Sequence, residues 1–241
     1  MSLQLLFRRL LRKFGVDVVK YKPSSNHNAR LFYLMENIDV VLDVGANEGQ
    51  YGEYLRNFGY KNLIISFEPM EQAYSELCNN KEAKNDSLWL KKNIALGDEI
   101  GEKNINISKY SPSSSILEML PLHEKIFSGT DYIGEESIKI EKLDNVFQSL
   151  CTNSSKVLLK IDTQGFEYEV LKGAKKSLDY ISLIQLEMSY KPLYQNELLF
   201  DEMHEFLSSR GYYLVSVSPQ IFDEKTWELI QVDALYKRHD G

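Results

Sequence analysis

The stretch VVLDVGANEGQYGEYL, residues 40 to 55, decides the fold class of this chain. Its apolar run up to Asp43 predicts a buried strand, the glycines that follow predict a tight turn, and the residues after Gly49 have the pattern of a helix. About 25 residues after Asp43, the apolar run LIISF is followed by Glu68. A βαβ unit with this spacing places an acid on a ribose. The segment therefore predicts a site for a cofactor that contains adenosine.

The order of residues in the turn indicates which cofactor that is. A dinucleotide site favours G-x-G-x-x-G, because bare backbone N–H groups must face a pyrophosphate. Here the pattern is D-x-G-x-x-x-G, and Asp43 and Glu48 would repel a phosphate. S-adenosylmethionine has a sulfonium, an ammonium and a ribose diol for Glu68, but no phosphate. We therefore expect S-adenosylmethionine, the alternative being an ordinary strand–turn–helix corner with a polar tip.

Bulk composition is that of a soluble α/β protein. The 241 residues are 43% apolar, which is enough for one core, and the net charge of −7 makes nucleic acids poor partners. Cys78 and Cys151 lie far apart without a metal or disulfide pattern, which is typical of a reducing, cytoplasmic compartment. No apolar run approaches the length of a transmembrane segment.

Residues 1 to 36 are predicted to form a basic helical arm. Within it, Leu3 to Phe14 make an amphipathic helix whose arginines interrupt the apolar residues, unlike a secretory signal. Such a helix can make peripheral contact with an anionic membrane, or it can pack on its own domain, which we favour. The sequence carries no signal for an oligomeric state.

Residues 37 to 241 alternate strands and helices and are predicted to form one domain. Continuous apolar strands separated by helices indicate a mostly parallel sheet with helices on both faces. The predicted strands are Val40–Val44, Leu63–Phe67, Leu88–Lys92, Val157–Ile161, Leu183–Leu186, Tyr213–Val217 and Val232–Tyr236. Residues 101 to 150 are less regular, with a serine-rich turn at 111 to 115 and a strand at 137 to 140, and we expect them to form a lid over the mouth of the sheet.

A second chemical cluster is KVLLKIDTQGFEYEVLKGA, residues 156 to 174. Its apolar strand ends at Asp162, and the run LIQLEM later in the chain places Glu187 in the same way. Adjacent parallel strands would bring both acids to the edge of the sheet that holds the cofactor. Taken alone, Asp162 is equally well explained as a helix N-cap.

These motifs, in this order, resemble the FkbM-type methyltransferases. The resemblance rests on DVGANEGQYGEYL, FEP, NIALGD, SPSSS and LLKIDTQGFEYEVLKGA and covers roughly Asp39 to Arg238. KIDTQGFE is the most specific of these motifs. The family commonly has an acid where Gln164 stands, which puts any role for a charge at that position in doubt.

The resemblance implies a class I fold, a seven-stranded sheet with the last strand antiparallel, and O-methylation, often of a sugar or polyketide hydroxyl. It places Glu68 at the ribose, Asn93 and Ala95 near the adenine, and Asp162 facing the methyl group and the acceptor. The residues expected around the methionine part are Asp43, Gly45, Ala46, Asn47 and Gly49.

A sugar hydroxyl is too weak an acid to ionise before transfer, so a base that takes its proton would accelerate the reaction. Asp162 and Glu187 are the candidates for this base, with His123 third. The two carboxylates could instead hold a divalent metal such as Mg²⁺, which would lower the pKa of the hydroxyl. The side chains predicted to contact the acceptor are Ser113, Ser115, His123 and Tyr190.

Two other classes of protein remain as alternatives. One is a nicotinamide-dependent oxidoreductase, which the spacing of the glycines and the acids in the turn disfavour. The other is a non-catalytic domain that binds a glycan or a partner protein. A degenerate site need not keep Asp43, Gly45, Gly49 and Glu68 together, so this alternative is disfavoured as well. A methyltransferase with a non-sugar acceptor also remains open.

Overall fold

The computed structural model describes residues 37 to 239 without a gap, together with residues 7, 11, 13, 14, 31, 34 and 35. The chain divides into two compact units, Met1–Leu34 and Met35–Gly241. The second unit carries all the features below. Most of the predicted amphipathic helix over Leu3 to Phe14 lies outside the described residues, and the predicted domain boundary after residue 36 stays a prediction.

Within residues 37 to 239 the strands, in chain order, are β1 Val40–Val44, β2 Leu63–Phe67, β3 Trp89–Lys92, β4 Ala95–Leu96, β5 Gly101–Ser108, β6 Tyr132–Glu141, β7 Val157–Ile161, β8 Ile181–Ser189, β9 Tyr212–Phe222 and β10 Leu229–Arg238. The α-helices in this range are α1 Gln50–Asn57, α2 Glu71–Asn79, α3 Pro121–Ile126, α4 Leu143–Leu150, α5 Glu167–Gly173 and α6 Phe200–Ser209. Two 3₁₀ helices, Ser111–Ser113 and Ser177–Tyr180, complete them.

Seven strands form the main sheet in the order β3-β2-β1-β7-β8-β10-β9. Parallel pairing joins β3, β2, β1, β7 and β8, whereas β10 runs antiparallel to both of its neighbours. The central strands β1 and β7 are buried at every position, as expected for a sheet covered on both faces. The predicted class I architecture, with the last strand antiparallel, is confirmed.

The last three strands are longer than the apolar runs predict. β10 pairs with β8 from Gln231 to Lys237 and with β9 from Leu229 to Arg238. Antiparallel pairing continues the backbone ladder through polar residues, so the hydrogen bonds extend beyond the apolar stretch that the sequence analysis could detect.

The lid segment, residues 101 to 150, forms most of a second, three-stranded sheet with the order β4-β6-β5. β5 and β6 are antiparallel, and the serine turn and α3 lie between them in the chain. β5 was not predicted from the sequence because, of its eight residues, the only buried apolar one is Ile105. Such a strand lacks the apolar alternation that marks a half-buried strand.

Candidate active site

A cavity of about 460 Å³ lies at the carboxyl ends of the parallel strands. One wall comes from the turn after β1 and the ends of β2 and β3, through Val44, Gly45, Ala46, Asn47, Phe67, Glu68, Pro69, Met70, Ile94, Ala95 and Leu96. The other wall comes from α1, the carboxyl-terminal halves of β7 and β8 with the turn after β7, and the middle of β10, through Tyr51, Lys160, Asp162, Thr163, Gln164, Gln185, Glu187 and Asp233. The lid segment covers both through Tyr110, Ser111, Pro112, Ser114 and Ile116.

The glycine turn brings bare backbone to the cavity. The N–H groups of Gly45 and Ala46 both donate to the carbonyl of Phe67 at 3.1 Å, which joins the turn to the end of β2. Gly45 has φ 76°, and a Cβ added there would lie 1.8 Å from the carbonyl oxygen of Asp162. Glycine is therefore required where the loops after β1 and β7 touch.

Glu68 is almost fully buried beside this turn. Its Oε2 accepts from the backbone N–H of Asn47 at 2.8 Å, and its Oε1 accepts from that of Met70 at 2.9 Å. Burial raises the pKa of Glu68 to about 7, against the lowering effect of these two N–H groups. Each carboxylate oxygen keeps a second lone pair, so Glu68 can still accept a pair of hydroxyl donors.

Two asparagines brace the cofactor side of the cavity. Asn47 Nδ2 donates to Ser111 Oγ at 2.9 Å, which ties the glycine turn to the lid segment. Asn93 Nδ2 donates to the carbonyls of Glu68 and Pro69 at 3.1 and 3.0 Å. Asn93 is thus a brace behind the cavity, whereas Ala95 lies in its apolar lining.

Asp43 and Gly49, both predicted to flank the cofactor, lie behind the cavity surface. The pairing of the strands places Asp43 between Ser66 on β2 and Lys160 on β7. Ser66 Oγ donates to Asp43 Oδ2 at 3.0 Å, and Lys160 Nζ lies 3.3 Å from Asp43 Oδ1. A Cβ at Gly49 would meet Leu77 and Trp89, so both residues support the turn from within the core.

Lys160 connects the buried side chains of Asp43 and Ser66 to the cavity. Its ammonium lies 3.4 Å from Asp162 Oδ2 and 5.3 Å from the centre of the Tyr51 ring. Burial acts to lower the pKa of Lys160, but Asp162 and Asp43 outweigh it and the pKa is raised. Lys160 therefore stays charged and offsets the buried carboxylate of Asp43. No sequence motif pointed to a role for this residue.

One amide group joins the two acids that were predicted to meet at this edge. Gln164 Nε2 donates to Asp162 Oδ1 at 2.9 Å and to Glu187 Oε2 at 3.2 Å. Burial raises the pKa of Glu187 well above its ordinary value, as do Asp162, Asp233 and Glu167, while Lys160 acts against them. The structure thus brings Asp162 and Glu187 together on the wall opposite Glu68.

Asp233 is a third acid on this wall, and the sequence analysis missed it. It lies directly opposite Glu187 in the pairing of β10 with β8. Burial, followed by the nearby charge of Asp162, raises the pKa of Asp233 to about 6. The available signal was an acid in the middle of the apolar run LIQVDALY.

The four residues predicted to contact the acceptor lie outside the cavity lining. Ser115 Oγ donates to the carbonyl of Gln164 at 2.6 Å, and Ser113 is buried in the lid segment. His123 is buried, and burial lowers its pKa to about 4. Tyr190 is 40% exposed and stacks on Phe200. Ser111, Ser114 and Tyr110 occupy the positions over the cavity instead.

Among the described residues, no three His, Cys, Asp or Glu side chains come together as a group that could hold a metal ion. In the same part of the chain, no helix has both the length and the apolar character that crossing a membrane requires. Both cysteines, Cys78 and Cys151, are free thiols.

The sheet order and the cavity at its edge define a class I S-adenosylmethionine-dependent methyltransferase. The chain belongs to the FkbM methyltransferase family, since the Methyltransferase FkbM domain matches residues 43 to 214. The family assignment confirms the predicted resemblance, and with it S-adenosylmethionine as the cofactor.

The individual proteins that the chain resembles share 25% or less of its sequence. The chain is 25% identical over 226 residues, 91% of each chain, to the 2-O-methyltransferase NoeI from Sinorhizobium fredii. An rRNA methylase from Streptococcus thermophilus aligns with a TM-score of 0.49 at 10% identity, over 92% of this chain and 100% of that one. TrmK from M. capricolum, solved with S-adenosylhomocysteine, aligns with a TM-score of 0.45 at 11% identity, over 88% and 68% of the two chains.

Proposed function

We propose that this chain is an O-methyltransferase that acts on a hydroxyl of a small molecule or glycan, and specifically on a sugar hydroxyl. The observation that carries the proposal is one cavity with Glu68 on one wall and the linked acids Asp162 and Glu187 on the other. The likeness to a 2-O-methyltransferase supports transfer to oxygen. A cytoplasmic location stays a prediction.

The first wall fits S-adenosylmethionine part by part. Glu68 would accept the ribose hydroxyls, and the apolar surface that includes Ala95 would pack on the adenine. The backbone from Gly45 to Asn47 would face the methionine part of the cofactor. The acids that line the cavity would attract the ammonium of that part. Asp43, Gly49 and Asn93 contribute indirectly, because they hold the turn and the β2 end in place.

The second wall would hold the acceptor. The bound cofactor supplies a methyl group on a cationic sulfur, and the lid segment and both walls exclude water and align the acceptor oxygen with it. Glu187 would accept the hydroxyl proton at Oε1 or Oε2 as the O–C bond forms and the S–C bond breaks, because its raised pKa makes it a stronger base than an ordinary glutamate. Asp162, paired with Lys160, would face the methyl group.

The charges on this wall favour an uncharged acceptor. Asp162, Glu187 and Asp233 line it, while the ammonium of Lys160 is shared between Asp162 and Asp43. A phosphate or carboxylate on the acceptor would therefore be repelled. This supports a neutral sugar over a nucleic acid, in line with the net charge of −7.

Titration of S-adenosylhomocysteine into the purified protein tests the cofactor half of the proposal. We expect micromolar binding that Glu68→Gln weakens about 10- to 100-fold, because charge-assisted hydrogen bonds to the ribose are lost. Glu71→Gln, an exposed glutamate nearby on α2, is the matched control and should bind like the wild type. Binding of NADH in place of S-adenosylhomocysteine would refute the proposal.

The pH dependence of the same titration reports on Glu68. The ribose hydroxyls need an ionised acceptor, and the pKa of Glu68 is about 7 without ligand, so below that pH binding must release a proton. Affinity should fall about tenfold per pH unit below 7 and level off above it. Calorimetry from pH 5.5 to 8.5 measures this, and Glu68→Gln should flatten the curve. A flat curve for the wild type would contradict the assignment.

A further inference from the structure

Gln164 lies between the two candidate catalytic acids in a constrained backbone conformation. Its φ is 55°, in the left-handed region that side chains other than glycine rarely adopt. The hydroxyl of Ser115 donates to its carbonyl oxygen at 2.6 Å, which ties the position to the lid segment. The neighbouring position requires glycine, because a Cβ at Gly165 would lie 2.8 Å from Tyr194 Cβ. The main chain thus fixes where the Gln164 side chain begins.

Partners on both sides fix the direction of the Gln164 amide. Gln164 Nε2 donates to Asp162 Oδ1 at 2.9 Å and to Glu187 Oε2 at 3.2 Å, so the NH₂ group faces the two acids. The carbonyl end then accepts from the hydroxyl of Tyr194 at 2.8 Å. An amide turned the other way would leave both acids without this donor.

The chain of hydrogen bonds continues to a buried histidine. His123 Nε2 lies 3.1 Å from the Tyr194 hydroxyl. His123 Nδ1 lies 3.3 Å from Thr130 Oγ1, so the ring is held between the hydroxyls of Thr130 and Tyr194. Burial lowers the pKa of His123 to about 4, so the ring is neutral at pH 7 and adds no charge beside the acids. The chain of contacts therefore runs from the lid segment through Tyr194 and Gln164 to the two acids.

We propose that Gln164 is a positioning residue for methyl transfer, which holds Asp162 and Glu187 in one geometry through a single amide that Tyr194 and His123 orient. This inference rests on the proposed function, because it assigns the two acids to the acceptor side. It explains how two carboxylates can lie close together in a mostly buried wall without separating.

The charges around the pair show why a neutral donor matters at position 164. Glu187 faces Asp162 from β7, Asp233 from β10 and Glu167 from α5, and the nearby cation is Lys160. Lys160 is shared with Asp43 on β1. The ionisable hydroxyls near this wall, those of Tyr51 from α1 and Tyr194, have raised pKa values and stay neutral. A further carboxylate at position 164 would add charge with nothing to offset it, and Glu187 would then ionise only at higher pH.

The test uses two cofactor analogues and needs no acceptor. S-adenosylhomocysteine is neutral at sulfur, whereas sinefungin carries an ammonium at the place of the transferred methyl group. The ratio of their dissociation constants, measured across the pH range in which the protein stays folded, should show a preference for sinefungin that grows as the acids of this wall ionise. We expect Gln164→Met to move the midpoint of this change upward by about half a pH unit, and Gln164→Glu by about one unit.

Two further variants separate positioning from packing. Tyr194→Phe should move the midpoint upward by less than Gln164→Met, since the amide remains but is no longer oriented. Gln148→Met, on the exposed face of α4 with Asn153 as its partner, should leave the midpoint unchanged. Gln164→Met nearly preserves volume, so it carries the test if Gln164→Glu does not fold.

The outcomes distinguish this inference from the proposed function. If Gln164→Met and Tyr194→Phe both leave the midpoint at its wild-type value while S-adenosylhomocysteine still binds, the positioning role alone is overturned. Failure of the wild type to bind S-adenosylhomocysteine would remove the proposed function, and this inference with it.

Discussion

Glu187→Gln is expected to lower kcat about 10²- to 10⁴-fold while the affinity for S-adenosylhomocysteine stays within about threefold of wild type. The substitution keeps the shape of the side chain but removes its capacity to take a proton. Glu187 lies on the wall opposite Glu68, where its loss does not touch the ribose site. A loss in kcat without a loss in binding would identify a group that acts during transfer.

The measurement is formation of S-adenosylhomocysteine with an acceptor found by screening neutral mono- and oligosaccharides. Glu202→Gln, on the exposed face of α6, is the matched control and should keep full activity. Asp162→Asn distinguishes the two acids: if it abolishes turnover while Glu187→Gln does not, Asp162 is the base. Full activity in both variants would contradict a carboxylate base on this wall.

Much of the fold follows from the sequence because its signals are local. The apolar runs that end at Asp43 and Asp162 are short and continuous, and a strand buried on both faces needs this composition. Parallel strands also share one direction, so an acid after each strand must lie at the same edge. The meeting of Asp162 and Glu187 could therefore be predicted before any coordinates were known.

The sequence does not show which residues of the glycine motif line the cavity and which support the turn from within the core. Asp43 belongs to the motif, yet its side chain points at Ser66 and Lys160 across the sheet. That direction depends on which strands are neighbours and in which register, and both are set by long-range pairing. The same limit applies to Asp233, which comes opposite Glu187 only when β10 pairs with β8.

The lid segment shows a second limit. The serine turn was predicted to lie near the mouth of the sheet, but the directions of its side chains do not follow from the sequence. Ser111 Oγ accepts from Asn47 Nδ2 at the cavity, Ser114 Oγ accepts from the backbone N–H of Ser108 within the lid segment, and Ser115 Oγ donates to the carbonyl of Gln164. His123, an attractive general base in the sequence, is instead buried beside Tyr194. A 3₁₀ turn of three residues leaves no periodic pattern from which such directions could be inferred.

Gly45→Ala is expected to destabilise the protein by about 2–4 kcal/mol and to weaken binding of S-adenosylhomocysteine more than tenfold. Part of the loss comes from the positive φ of 76°. The larger part comes from the carbonyl oxygen of Asp162, which an added Cβ would approach to 1.8 Å. Because that oxygen belongs to backbone, the loops after β1 and β7 must separate, and both walls of the cavity then shift.

Gly59→Ala isolates the effect of the contact. Gly59 has a similar positive φ of 93°, but a Cβ there meets nothing within 4 Å. This control should lose only about 1–2 kcal/mol, the cost of the backbone conformation, and should bind S-adenosylhomocysteine like the wild type. Urea unfolding followed by circular dichroism gives both free energies of unfolding. Equal losses in the two variants would mean that Gly45 is required only for its conformation, and that the two loops are free to move apart without cost to the site.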